Sequence, residues 1–226
     1  MSSIPRALTQ ALTWHFQSGG IRLCVVADDF RLGDLAPCAA EAAVVLDLAG
    51  ELLDALATAG LAVDQPWQWV AQVGGAQAGG AQASWRGVEA EARLTVPWPL
   101  LRAMGDAPDV PGLQWHPALA ECVLAQWRLA DDERAALEPG GLLLLDGAAG
   151  EQLRARGEAA GDAQPWQLVA RWEQPLALDV VLGWSTVRPS PPVACQLVES
   201  ARPDAVLARG RLVPWGTGQA FLVEHV

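Results

Sequence analysis

The sequence predicts an α+β protein, with N-terminal helices packed on an antiparallel sheet and a C-terminal, mostly β domain. Three observations predict it. Residues 36–59 and 117–137 space their apolar residues at intervals of three and four, the period of a half-buried helix. Between them, Val88, Ala90, Ala92, Leu94 and Val96 share one parity, while Glu89, Glu91, Arg93 and Thr95 share the other. That alternation marks a strand with one face buried. Beyond Asp146, short apolar runs recur between turn signals about every ten residues, which implies an antiparallel sheet or small barrel.

Taken in order, Leu8, Leu12 and Phe16 place residues 5–17 in a short amphipathic helix. Ser18-Gly19-Gly20 ends it, and Ile21, Leu23, Val25 and Val26 begin a strand that stops at Asp28-Asp29. In the 36–59 helix, Leu46, Leu53 and Leu56 repeat along one stripe, widened by Val45, Leu48 and Leu52. Pro37 suits its first turn and Gly60 its C-terminal cap. Gly50 within it costs about 1 kcal/mol relative to Ala, which allows a break there. Trp67–Val73 alternates and is expected to pair with 85–96 as a hairpin. The double-glycine repeat from Gly74 to Ala83 between them reads as a loop or hairpin tip.

Pro97-Trp98-Pro99 stops the second strand, Leu100–Met104 starts a helical turn, and residues 105–112 form a loop rich in Gly, Asp and Pro. The 117–137 helix carries Leu119, Cys122, Val123, Trp127, Ala130 and Leu137. Pro139 and Gly140-Gly141 then break the chain, and Leu142–Leu145 follow as a short strand buried on both faces. This divides the protein into an N-terminal α+β domain over 1–137 and a β domain over 138–226. The β domain's candidate strands are Trp166–Trp172, Leu176–Leu182, Val193–Val198, Val206–Val213 and Ala220–Val223.

The chain of 226 residues carries a net charge of −11 and has no Lys, Asn or Tyr. An acidic chain lacks the clustered cations that phosphate backbones or anionic lipid require, so neither nucleic acid nor membrane is expected as a partner. Arg154-Ala-Arg156 and Arg209-Gly-Arg211 read as solvated strand or turn positions. No apolar run reaches the ~18 residues of a membrane span, and no secretory signal is visible. The four cysteines (Cys24, Cys38, Cys122, Cys195) are scattered in apolar stretches and read as buried, reduced thiols of a cytoplasmic protein.

No catalytic or metal constellation is legible, and no cofactor is expected. His15, His116 and His225 are far apart, with no metal-ligand spacing. A phosphate-binding loop requires Lys, which is absent, and Gly183-Trp184-Ser185 lacks the last glycine of a nucleophile elbow. Asp28-Asp29 and Asp131-Asp132-Glu133 read as a solvated turn and a polar helix face. The eleven tryptophans stand against three phenylalanines. Most are expected to fill the core, with Trp184 and Trp215 left to anchor a partner.

Gly140-Gly141-Leu-Leu-Leu-Leu-Asp146 resembles the Gly-Asp-hydrophobic-x-Leu segment of the surface-presentation-of-antigens (SpoA) domain, with Gly141 in place of the usual Asp. Val206-Leu-Ala-Arg-Gly-Arg-Leu-Val213 and Gly218-Gln-Ala-Phe-Leu-Val223 resemble that domain's last strands, with Arg211 in place of Glu. Val96-Pro-Trp-Pro-Leu-Leu101 and His116-Pro-Ala-Leu-Ala-Glu121 are similar to the N-terminal region of the SctQ/HrcQ proteins. These are cytoplasmic-ring, or sorting-platform, components of type III secretion, related to flagellar FliM and FliN.

The resemblance implies a non-enzymatic scaffold subunit whose SpoA-like domain pairs with itself or with another SpoA domain. It implies contacts with the stator of the export ATPase and an injectisome-base adaptor, in the cytoplasm beside the inner-membrane secretion apparatus. Full members carry two SpoA domains, and this chain has room for about one. The partner interface is expected at Leu142, Leu144, Trp184, Leu207, Leu212, Trp215 and Phe221. A cytoplasmic ligand-binding or regulatory α+β domain and an enzyme of unrecognised type are the alternatives.

Overall fold

A computed structural model of the chain describes residues 12–27, 38–61, 65–70, 79–145, 152–156, 158, 165–185 and 194–226. It is 48% strand and 19% helix, in two antiparallel sheets with five short helices among the described residues. This overturns the expected class, because the N-terminal half is organised by a sheet rather than by long helices. The chain forms two compact units, Met1–His116 and Pro117–Val226. Residues 117–137, grouped by sequence with the first domain, belong to the second unit.

The first unit holds a six-stranded sheet. Its strands are β1 (Leu12–Ser18), β2 (Ile21–Ala27), β3 (Gln68–Trp69), β4 (Gly80–Arg86), β5 (Glu91–Pro97) and β6 (Leu113–Trp115), in the spatial order β3-β1-β2-β5-β4-β6. Strict alternation builds one buried face from Trp14, Phe16, Leu23, Val25, Ala83, Leu94 and Val96. Thus β1 is a strand, not the end of a helix. Trp14 and Phe16 are buried while Thr13 and Gln17 are exposed, a period of two that the i, i+4 leucines obscured. The remainder of that expected helix, residues 5–11, lies outside the described residues, as do Asp28 and Asp29.

The alternating 85–96 stretch is two strands, because the chain reverses at residues 87–90, where Gly87 donates to the Ala90 carbonyl at 3.0 Å. The hairpin is therefore β4 with β5, and β3 pairs with β1 instead. Gly80 and Ala83, from the glycine repeat, lie in β4, and residues 71–78 are outside the described set. The 36–59 stretch is helical and does break at Gly50, into α1 (Ala39–Leu48) and α2 (Gly50–Thr58). The Cys38 amide, just before α1, donates to Glu41 Oε2 at 3.0 Å. Gly60 closes α2 with φ +90°, as its sequence position suggested. The turn after Pro97 is α3 (Trp98–Arg102), and Trp85 and Trp115 donate to the Pro111 and Pro108 carbonyls, tying the following loop to β4 and β6.

The second unit holds seven strands: β7 (Ala120–Trp127), β8 (Leu142–Leu144), β9 (Gln152–Ala155), β10 (Trp166–Arg171), β11 (Ala194–Glu199), β12 (Arg202–Trp215) and β13 (Gly218–His225). Their order is β8-β13-β12-β11-β10-β7-β9. The expected 117–137 helix is β7 followed by the short α4 (Asp131–Ala135). In β7, Ala120, Glu121, Cys122 and Val123 are all buried, so both faces are covered. A strand buried on both faces need not alternate, and its apolar residues can mimic helical spacing. The expected strand at 176–182 is α5 (Leu178–Val181), attached through an isolated bridge from Leu176 to Ala118.

One face of the second sheet carries Ala125, Leu168, Leu197, Ala208, Phe221 and Val223, all buried within the single chain. The other carries Val123, Val169 and Val198. These strands thus bury a core within the one chain. The leucine strand β8 is corrected. Among the described residues it forms the edge of the sheet, paired only with β13, and Leu144 is exposed.

Candidate functional site

The β8 edge and the β12–β13 hairpin gather most of the residues expected at an interface. β12 pairs Leu212 with Phe221 and runs on to pair Trp215 with Gly218 at the hairpin's end. β13 in turn pairs Phe221 with Leu143 and Ala220 with Leu144. Leu144 is 44% exposed and Trp215 53%, large for apolar side chains in a protein with this much core. Residues 214–219 are all exposed, so the hairpin's end stands in solvent. Among the described residues no strand pairs with the outer edge of β8, and such an edge is a ready template for another strand.

The other expected contacts are placed differently. Phe221 is fully buried and belongs to the core of its own chain. Leu207 and Leu212 are partly buried and pack against that core. Leu142 is half-buried on β8. Trp184 is half-buried after α5, where its amide donates to the Asp179 carbonyl at 2.8 Å. Of the seven residues, Leu144 and Trp215 are the ones left open.

A buried polar cluster, unforeseen from the sequence, lies on the opposite side of the strand order. Strand register sets Glu121 directly between Arg154 on β9 and Arg171 on β10. Arg154 Nε donates to Glu121 Oε1 at 2.8 Å, and Arg171 Nε donates to Oε2 at 3.1 Å. Arg154 also donates to Gln167 Oε1 at 2.7 Å and Arg171 to Gln196 Oε1 at 2.6 Å. Glu121 is 0% exposed and Arg154 5%, so reading Arg154-Ala-Arg156 as solvated is corrected for Arg154. Arg156 is the solvated one, 3.5 Å from Asp204. Gln167 Nε2 is a buried donor of the cluster with no partner among the described residues. The cluster fastens four strands together.

Strand pairing also brings together one pair that sequence distance hid. Ser84 Oγ on β4 lies 2.8 Å from His116 Nε2, just past β6. The distance suits a nucleophile and its base, but both groups are solvent-facing, and no carboxylate orients the ring among the described residues. His15 is on β1, four strands away across the same sheet, and His225 is in the other unit. No group of three His, Cys, Asp or Glu side chains suited to a metal ion occurs among the described residues. Asp131, Asp132 and Glu133 sit exposed on α4, where Asp131 pairs with Arg134 at 3.1 Å.

The thiols differ in setting. Cys122 is buried, and Cys24 and Cys195 are half-buried, but Cys38 is exposed, against the expectation of four buried thiols. Burial pushes the Cys24 thiol up, opposed by the charge of Arg93. Burial likewise raises Cys195, opposed by a hydrogen bond from the Leu212 backbone. No helix among the described residues is long and apolar enough to cross a membrane. The chain matches no known family model, no curated protein and no solved structure.

Proposed function

We propose that this chain is a non-enzymatic scaffold subunit that works through protein–protein assembly, with the open edge of β8 and the end of the β12–β13 hairpin as its contact surface. The observation that carries this reading is the exposure of Trp215 and Leu144 beside a strand edge that no other described strand pairs with. Trp is the side chain that most often dominates binding energy at interfaces, and an edge strand can recruit a partner strand by main-chain bonds alone. The resemblance of Gly140–Asp146 and Val206–Val223 to SpoA segments supports a SpoA-domain partner. It also supports membership of the cytoplasmic ring of a type III secretion apparatus, in contact with the export-ATPase stator and an injectisome-base adaptor. On this reading the chain works in the cytoplasm, beside the inner-membrane apparatus.

Light scattering after size exclusion, on the chain alone and mixed with a SpoA-domain fragment, tests this. Self-association or complex formation is expected. Trp215→Ser with Leu144→Glu is expected to weaken it at least about tenfold, as loss of a hot-spot residue does, with melting unchanged. A rigid monomer that ignores the fragment would sink the proposal.

A second reading rests on an apolar cleft of about 190 Å³ in the first unit, lined by Ile21, Leu53, Leu56, Leu61, Gln65 and Trp67. It would suit a small apolar ligand, with Gln65 as the polar anchor. Quenching of tryptophan fluorescence by indole or a short-chain alcohol, abolished in Leu53→Trp, is the result that would favour it.

A further inference from the structure

The face of the first sheet opposite its core differs in charge from the rest of the chain. Antiparallel register lines its side chains up in rows across the strands. One row runs His15, Cys24, Arg93, Ser84, Gln114, and the next runs Gln68, Gln17, Arg22, Thr95, Gln82. His116 extends the second row, its amide bound to the Gln82 carbonyl at 2.8 Å. Five positions at strand spacing span roughly 19 Å.

The chain has 26 acidic residues, yet neither row contains one. Glu91 is the single carboxylate on the six strands, and Arg86 neutralises it at 2.6 Å. Arg22 and Arg93 have no carboxylate partner among the described residues. Among the described residues, this face of a chain of net charge −11 is therefore cationic and dense in hydrogen-bonding amides and hydroxyls.

We propose that this face docks an extended, acidic segment of a partner protein. Arg22 and Arg93 pair with its carboxylates. Gln82, Ser84, Gln114 and His116 hydrogen-bond its main chain and polar side chains. Guanidinium forks suit carboxylates, since the paired donors match the two oxygens. A polyphosphate is the poorer match, because nucleic-acid affinity grows with the number of phosphates neutralised, and two unpaired arginines on an acidic protein neutralise few. The proposal rests on the first unit alone and does not depend on how the β8 edge is used.

The test is fluorescence anisotropy of a labelled ten-residue peptide of alternating Thr and Glu, titrated with the full chain at low ionic strength, about 0.02 M, where screening is weak. Saturable binding is expected. Arg22→Glu with Arg93→Glu should weaken it at least about tenfold, because two charge-assisted contacts become repulsive. The same variant should keep its melting temperature, since neither arginine is ion-paired among the described residues. Arg209→Glu, an exposed arginine of the second unit, should bind as wild type does. Absence of saturable binding overturns the proposal. So does equal binding by the double variant or by a Thr-Gln peptide. Tighter binding of a ten-nucleotide thymidine oligomer, or of the peptide with phosphoserine for Glu, would identify a phosphate site and overturn it as well.

Discussion

A Cβ atom built on Gly210 would stand 1.9 Å from the carbonyl oxygen of Leu222 on the neighbouring strand. Gly210 opposes Val223 where the β12–β13 register slips, so the two backbones approach more closely than any side chain allows. The glycine of the Ala208-Arg209-Gly210-Arg211 run is thus required by packing. Gly210→Ala is expected to destabilise the protein by at least the ~1–3 kcal/mol of an overpacked core, since backbone must move rather than a side chain. Gly216→Ala, in open space with φ +58°, should cost only the roughly 1–2 kcal/mol of a left-handed conformation. Chemical denaturation of both variants measures the difference, and equal costs would contradict the close approach.

Leu143 and Leu144 are neighbours with opposite fates. Leu143 packs against the Leu168–Phe221 core, and Leu144 is exposed at the sheet edge. Leu143→Asp is expected to lose several kcal/mol, because an unpaired carboxylate enters apolar surroundings. Leu144→Asp should stay within about 0.5 kcal/mol of wild type. Thermal melts of the two proteins check the order, and a collapse of the Leu144 variant would show that its side chain is buried.

Glu121 offsets two buried guanidinium groups. Glu121→Gln leaves both without their counter-charge and is expected to cost about 3–5 kcal/mol, the range for breaking a buried pair from one side. Replacing the whole set together, Glu121→Met with Arg154→Leu and Arg171→Met, should recover much of that loss. Denaturant midpoints of the single and triple variants decide it. A triple variant less stable than Glu121→Gln would mean the cluster contributes more than pairing.

The thiols give a pH prediction. Cys24 and Cys195 are raised in the folded protein, so folding holds their protons more tightly than the unfolded chain does. The unfolded chain then binds fewer protons above the ordinary thiol value of roughly 8.5, and stability falls as pH rises through and beyond it. Cys24→Ser with Cys195→Ala should flatten that alkaline loss. Iodoacetamide at mildly alkaline pH should label Cys38 first and Cys24 and Cys195 slowly, with Cys122 last, as read by mass spectrometry. Early labelling of Cys195 would contradict its burial.

Trp215 and Leu144 are two of the seven residues that the sequence places at an interface, and both are exposed, although the leucine run reads as a strand buried on both faces. Phe221, in the same kind of run, is core, because strand order surrounds β13 with β8 and β12. Leu144 is exposed on the edge strand β8 and Trp215 at the hairpin's end, whereas Phe221 lies on a strand flanked on both sides.

Local chemistry determined, from the sequence alone, the strand at Ile21–Ala27, the helical 38–60 region with its break at Gly50, the turn after Pro97 and most strands beyond residue 165. Each of these is encoded by periodicity or by Pro and Gly acting within a few residues. Tertiary structure decided the rest. Ala120–Trp127 is a strand because β9 and β10 flank it and both its faces are covered, which erases the alternation that would have announced it. Arg154 is buried because Glu121 and Gln167 meet it from 33 and 13 residues away. The carboxylate-poor rows of the first sheet likewise exist only once six separate strands are set in register. A short window records the preferences of its own residues, but the partners that neutralise a charge or cover a strand arrive from elsewhere in the chain.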